Sequence, residues 1–144
     1  MQSSHFPGQP AEGSILNTAL LDQYRSRKSN LLERLINAYL EEAPKSFQAL
    51  RKAVEAGDLE GVRMNAHALK STSYNLGAMR LSKMCQEIEV SAARGNENAI
   101  ADVMTRIGPE CFDVEQALCS ELYQLKKKPE TYRAPETELD DDWN

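Results

Sequence analysis

From about residue 15 to about residue 126 the apolar positions recur at spacings of three and four, the period of amphipathic helices. A short first helix is predicted to begin near Asn17 or Thr18 and to carry Leu20, Leu21 and Tyr24. Ser29 or Asn30 can cap a second helix, whose stripe runs Leu32, Ile36, Tyr39, Ala43, Phe47, Leu50 and Val54. Pro44 falls inside that stripe and predicts a kink or break at Ala43, because proline lacks an amide donor and crowds the preceding turn. Gly57 is a stop and Asp58 a cap for the third helix, with Val62, Ala66, Leu69, Ser73 and Leu76 on its inner face. A fourth helix carries Ala78, Leu81, Cys85, Ile88 and Ala92, and Gly95-Asn96 divides it from a fifth. The fifth carries Ile100, Met104, Ile107, Cys111, Val114, Leu118 and Leu125, with a bend expected at Gly108-Pro109. Nothing reads as a strand. Short links between long amphipathic helices predict an all-α, up-and-down antiparallel four-helix bundle with a short extra N-terminal helix.

The two ends break this pattern. Residues 1–14 are small, polar and Pro/Gly-bearing and read as a disordered lead. Residues 127–144 turn basic and then acidic around Pro129 and Pro135, and read as a flexible charged tail with Trp143 as its one large hydrophobe. The bundle is expected over residues 15–126. A start at Met1 followed by a polar lead favours a free-standing chain.

Composition narrows the function. The 144 residues hold 7 Gly and 6 Pro and are rich in Leu, Ala, Glu and Lys, which suits helices. A net charge of −5 argues against nucleic-acid binding. No run approaches the roughly 20 apolar residues of a membrane span, and no signal-peptide core follows Met1, so a cytoplasmic protein without a membrane role is expected. Three cysteines without C-x-x-C spacing read as buried, reduced core thiols. His5 and His67 are too few for the usual zinc sites, and Met64 stands where a di-iron Glu-x-x-His pair needs Glu, so no metal is expected.

One residue stands apart from the core pattern. With about 100° per residue, His67 lies roughly 140° from the centre of the stripe through Ala66 and Leu69 and points outward. Arg63, Lys70, Ser71 and Tyr74 surround it at helical spacing. Geometry by itself also fits an ordinary solvated histidine.

The run from Asn65 to Ala78, followed by Leu81, Cys85 and Glu89, resembles the signature of histidine-containing phosphotransfer (Hpt) domains. That signature is approximately H-x-L-K-G-[ST]-[SA]-x-x-x-G-A, on the second long helix of a four-helix bundle. His67, Leu69, Lys70, Thr72, Ser73, Gly77 and Ala78 match it, and Ser71 departs from it where the family most often has Gly. The likeness extends over roughly Leu16 to Leu125, including Leu40 to Pro44 and the Gly57-Asp58 boundary.

The resemblance implies a phosphorelay intermediate. His67 would accept a phosphoryl group from a receiver-domain aspartyl phosphate and pass it to another receiver Asp. Free imidazole titrates near about pH 6.5, so near neutrality most copies keep a lone pair for in-line attack. Lys70, one turn on, would ease the approach of phosphoryl oxygens, since such transfer is largely positioning plus electrostatics. Ser71 offers small size and either a phosphate hydrogen bond or a back-bond to the His67 carbonyl. Gly77 is expected to permit a close approach or positive φ at the end of the third helix, as a structural residue serving the site.

No Gly-rich phosphate loop accompanies these residues, so a phosphocarrier without ATP-dependent kinase activity or a cofactor of its own is expected. Magnesium would come with the receiver. The partners would be receiver domains of response regulators or hybrid sensor kinases, met by a monomer through Arg63, Met64, Ala68, Ser71, Tyr74 and Met79, with the second helix nearby. Two competing readings are a non-phosphorylated helical adaptor that binds a receiver and a metal-dependent bundle enzyme. Intact His67 and Lys70 weigh against the first, and ligand count against the second.

Overall fold

The computed structural model describes residues 14–26 and 30–127. The lead through residue 13, the candidate cap Ser29 and the tail from residue 128, Trp143 included, lie outside the described residues. Five helices follow in order: α1 (Thr18–Arg25), α2 (Leu31–Ala56), α3 (Leu59–Asn75), α4 (Met79–Ala93) and α5 (Glu97–Lys127). Among the described residues there is no strand. Helices α2, α3, α4 and α5 form a ring of four, each packed on its chain neighbour and α5 closing onto α2. This is the expected four-helix bundle with a short N-terminal helix.

Local chemistry sets the boundaries. Asn17 caps α1, its Oδ1 accepting from the amides of Ala19 and Leu20 at 3.1 and 3.3 Å. Asp58 caps α3 through the Gly61 amide, and Asn96 caps α5 through Ala99. Asn30 occupies the cap position of α2, but its side chain makes no capping bond; only its carbonyl accepts, from Arg34. Gly57, Gly77 and Gly95 each adopt positive φ at a helix-to-helix junction.

Of the kink or break expected at Pro44, the break is absent: α2 runs through it for 26 residues. Proline deprives the helix of one bond to the carbonyl four residues back, but the buried anchors Ile36, Tyr39, Ala43 and Leu50 hold both sides of that turn against the core. Helix α5 is also continuous through Pro109, over 31 residues.

The core is the set of predicted stripes, meeting. Leu32, Ile36, Leu50, Val62, Ala66, Leu69, Leu81, Cys85, Ile88, Ile107, Val114 and Leu118 are almost wholly buried, each large aliphatic side chain contributing about 1.5–3 kcal/mol. Phe47, Val54, Met104 and Leu125 lie at the rim of the cluster, partly buried. The cysteines divide: Cys85 and Cys111 are buried, whereas Cys119 is exposed, which corrects the reading of three core thiols. Cys119 follows the buried Leu118 by one residue, and about 100° of helix rotation carries it out of the stripe.

The helices differ in length. At about 1.5 Å per residue, α2 and α5 extend about 39 and 46 Å, while α3 and α4 extend about 25 and 22 Å. Helix α1 packs on α2 beyond the shorter pair, and its Arg25 reaches Glu121 of α5 at 2.9 Å. Near the start of α4, Arg80 pairs with Glu110 of α5 at 3.2 Å, tying the two helices where the shorter pair ends.

Candidate functional site

His67 stands on α3 with 58% of its side chain exposed, outside the ring of core contacts. Ala66 and Leu69 on either side are fully buried, so the same helix that fills the core presents the imidazole outward. The ring is not unsupported, however. Its Nδ1 lies 2.9 Å from Oε2 of Glu89 on α4.

The second oxygen of the same carboxylate has a different partner. Glu89 Oε1 is 2.8 Å from Nζ of Lys70. Glu89 is only 19% exposed and Lys70 27%, so one half-buried carboxylate joins both sequence-predicted site residues across the α3/α4 seam. Burial pulls the Glu89 carboxyl upward, but hydrogen bonding and charge from Lys70 and His67 outweigh it and hold the group below its ordinary value of 4.5.

This fixes the tautomer. An ionised carboxylate only accepts, so Nδ1 must carry the proton that bridges to Glu89. In the neutral ring the lone pair is then on Nε2, for which no described residue supplies a hydrogen bond. An outward ring with a tethered Nδ1 and an open Nε2 is arranged to act as a nucleophile toward a group arriving from solvent.

The other predicted residues separate into neighbours and outliers. Ala68 and Ser71 are exposed near His67, as are Met64 at 57% and Tyr74 at 58%. Lys70, Ser71, Tyr74 and Asn75 of α3, with Ser82 and Gln86 of α4, line an open cavity of about 380 Å³ beside the Lys70–Glu89 pair. Ser82 Oγ donates to the Lys70 carbonyl at 3.3 Å, holding the seam together. Ser71 does not bond the His67 carbonyl; the back-bond of this stretch is from Thr72 Oγ1 to Ala68 at 2.8 Å. Arg63 is engaged by Glu60 on its own helix.

Gly77 and Met79 sit elsewhere. Each is ten residues along its helix from His67 or Glu89, about 15 Å in axial distance. Gly77 has φ of 79°, and the group that approaches it closely is the backbone of Asn17. Met79 is half-buried at the start of α4. The hydrogen-bond partner of His67 comes from α4, while α2, the second helix, packs on α3 as well.

Glu89 is the residue of this candidate site that the sequence reading underrated. Its signal was its position: it follows Ile88 directly and lies four residues after Cys85, at the edge of the α4 core stripe. A carboxylate at such an edge is half-desolvated and needs partners.

The model of the Hpt domain matches residues 34–128, more than half of the chain. The chain belongs to the Hpt domain family. This Hpt domain is therefore a module of histidine phosphotransfer in two-component signalling. Its fold is similar to the crystal structure of histidine-containing phosphotransfer protein B (HptB) from Pseudomonas aeruginosa PAO1, with a TM-score of 0.74 at 24% identity. That likeness covers 78% of this chain and 98% of the other. No curated protein matches the Hpt domain described here. Among its described residues no helix is long and apolar enough to cross a membrane.

Proposed function

We propose that this Hpt domain is a phosphorelay intermediate in which His67 takes a phosphoryl group from a receiver-domain aspartyl phosphate and passes it to an Asp on another receiver. The observation that carries this reading is the ring itself: Nδ1 tied to Glu89, Nε2 open, 58% of the side chain in solvent. In the forward step the Nε2 lone pair attacks phosphorus in line. An N–P bond forms, the acyl P–O bond breaks, and its electron pair leaves with the receiver carboxylate. The ring keeps its Nδ1 proton and becomes a cation facing the Glu89 carboxylate. No proton has to move, which suits a reversible carrier.

Lys70 supplies positive charge for the phosphoryl oxygens, and Ser71 keeps the approach open. The carboxylate that touches His67 is already engaged by Lys70 and the ring, so these residues do not offer a magnesium site; the ion that assists transfer belongs with the receiver's acidic pocket. The receiver docks over the α3/α4 seam, contacting Met64, Ala68, Ser71 and Tyr74, through a transient interface of standard size or smaller. Arg63 and Met79 lie at the margins of that surface. The domain acts as a cytoplasmic monomer, a phosphocarrier with neither kinase activity nor a cofactor of its own.

The test mixes the protein with a phosphorylated receiver and follows acid-labile, base-stable phosphate on it. Wild type is expected to take up label and His67→Gln to take up none. Equal labelling of the variant rejects His67 as the acceptor, and receiver binding without any labelling of wild type establishes the adaptor reading instead.

A further inference from the structure

Glu89 has one carboxylate and two claimants. Oε2 accepts from His67 Nδ1 at 2.9 Å, and Oε1 holds Lys70 Nζ at 2.8 Å. Both members of the Lys70–Glu89 pair are more than two-thirds withdrawn from solvent, where an ion pair is screened less than at an open surface. The ammonium assigned above to the phosphoryl group is thus already committed to a carboxylate on the other side of the ring.

We propose that Glu89 is a positioning residue that competes with the phosphoryl group for Lys70, so that every transfer through His67 includes an exchange of Lys70 from carboxylate to phosphoryl. The inference rests on the reading of His67 as the phosphoacceptor. Its physical basis is a change of counter-ion. Before transfer the ring is neutral and Lys70 is the charged partner of Glu89. Formation of the N–P bond at Nε2 turns the ring into a cation whose proton remains on Nδ1, against Glu89 Oε2. Glu89 then has a second positive neighbour at the moment when a doubly charged phosphoryl group appears beyond the ring. Lys70 is released from the first and drawn to the second. When the phosphoryl leaves for the next receiver, the ring returns to neutrality and Lys70 returns to Glu89.

This arrangement tempers the carrier. The contribution of Lys70 to the phosphorylated state is offset by the pair it gives up, so the phosphoryl group is bound less tightly than by an uncommitted lysine. Glu89 thereby favours onward transfer over storage.

The experiment compares wild type, Lys70→Ala, Glu89→Gln and the double variant in transfer from a phosphorylated receiver, with His67→Gln as the control for the acceptor. Gln retains an oxygen to accept from Nδ1, and thermal unfolding confirms that each variant is folded. Lys70→Ala is expected to slow transfer about threefold in wild type and at least about tenfold in the Glu89→Gln background, where no ion pair has to be broken. A second readout needs no variant: the Nζ resonance of Lys70, followed by nitrogen-15 NMR, is expected to shift when phosphoramidate phosphorylates the wild-type protein. Equal cost of Lys70→Ala in both backgrounds, or a Lys70 resonance indifferent to phosphorylation, overturns the exchange while leaving His67 as acceptor. Label retained by His67→Gln overturns the acceptor itself.

Discussion

The Asn17 amide donates to the Gly77 carbonyl at 2.8 Å, and a Cβ placed on Gly77 would lie 3.0 Å from the Asn17 nitrogen. This contact seats the start of α1 against the turn that ends α3. Tyr24 makes a second clasp from the same helix, its hydroxyl donating to the Asn75 carbonyl at 2.8 Å. The glycine of the Hpt signature thus serves the joint between α1 and the bundle, about 15 Å along α3 from the imidazole.

Gly77→Ala is expected to lower stability by about 1–3 kcal/mol, because a side chain must then adopt positive φ and push against Asn17 backbone. Urea denaturation measures this loss. Phosphoryl uptake by the folded variant should stay close to wild type; loss of uptake at unchanged stability would put Gly77 in the docking surface.

The Arg80–Glu110 pair is lopsided, with Arg80 41% exposed and Glu110 8%. Arg80→Ala strands a buried carboxylate and is expected to cost about 2–4 kcal/mol. Glu110→Gln leaves Arg80 with access to water and should cost less. Denaturant midpoints of the two variants decide the order.

Glu89 makes stability depend on pH. Its folded-state carboxyl titrates below the ordinary 4.5, so its contribution is fully present above that value and is lost as pH falls through the lower folded value. Wild type should therefore lose stability between about pH 5 and pH 3 more steeply than Glu89→Gln, as read from urea midpoints across that range. Parallel curves would mean that Lys70 and His67 do not stabilise the ionised carboxylate.

The three cysteines should react unequally. Burial pushes the Cys85 and Cys111 thiols up to about 12, while Cys119 faces solvent. A thiol reagent at neutral pH is expected to label Cys119 alone in the native protein and all three in denaturant, counted by mass spectrometry.

Ser71→Trp fills the approach beside His67 while touching nothing in the core. Transfer from a receiver should fall at least about tenfold, since a bulky side chain at the centre of an interface excludes the partner. Labelling by phosphoramidate, which needs no docking, should be unchanged. Unaltered receiver transfer would move the docking face away from Ser71.

The helices and their inward faces were legible in sequence because burial along a helix follows a fixed angular period, and that period is written in residues close together in the chain. Ile36, Ala66, Leu69 and Ile88 were placed inward and are buried; His67 was placed outward and is exposed. The motif around His67 identified the family by the same local reading. The break at Pro44 was misjudged because a local steric rule says nothing of the packing on both sides that keeps α2 continuous through it. Cys119 was misjudged because one residue of helix rotation separates a core thiol from a solvent-facing one.

Contacts between distant residues were decided by the tertiary structure. Glu89 is 22 residues from His67 and 19 from Lys70, and only the antiparallel packing of α3 on α4 brings its two oxygens to both. Asn17 and Gly77 are likewise joined only when α1 folds back over the end of α3. Sequence determined which side chains face water; the crossing of the helices determined which of them share a charge.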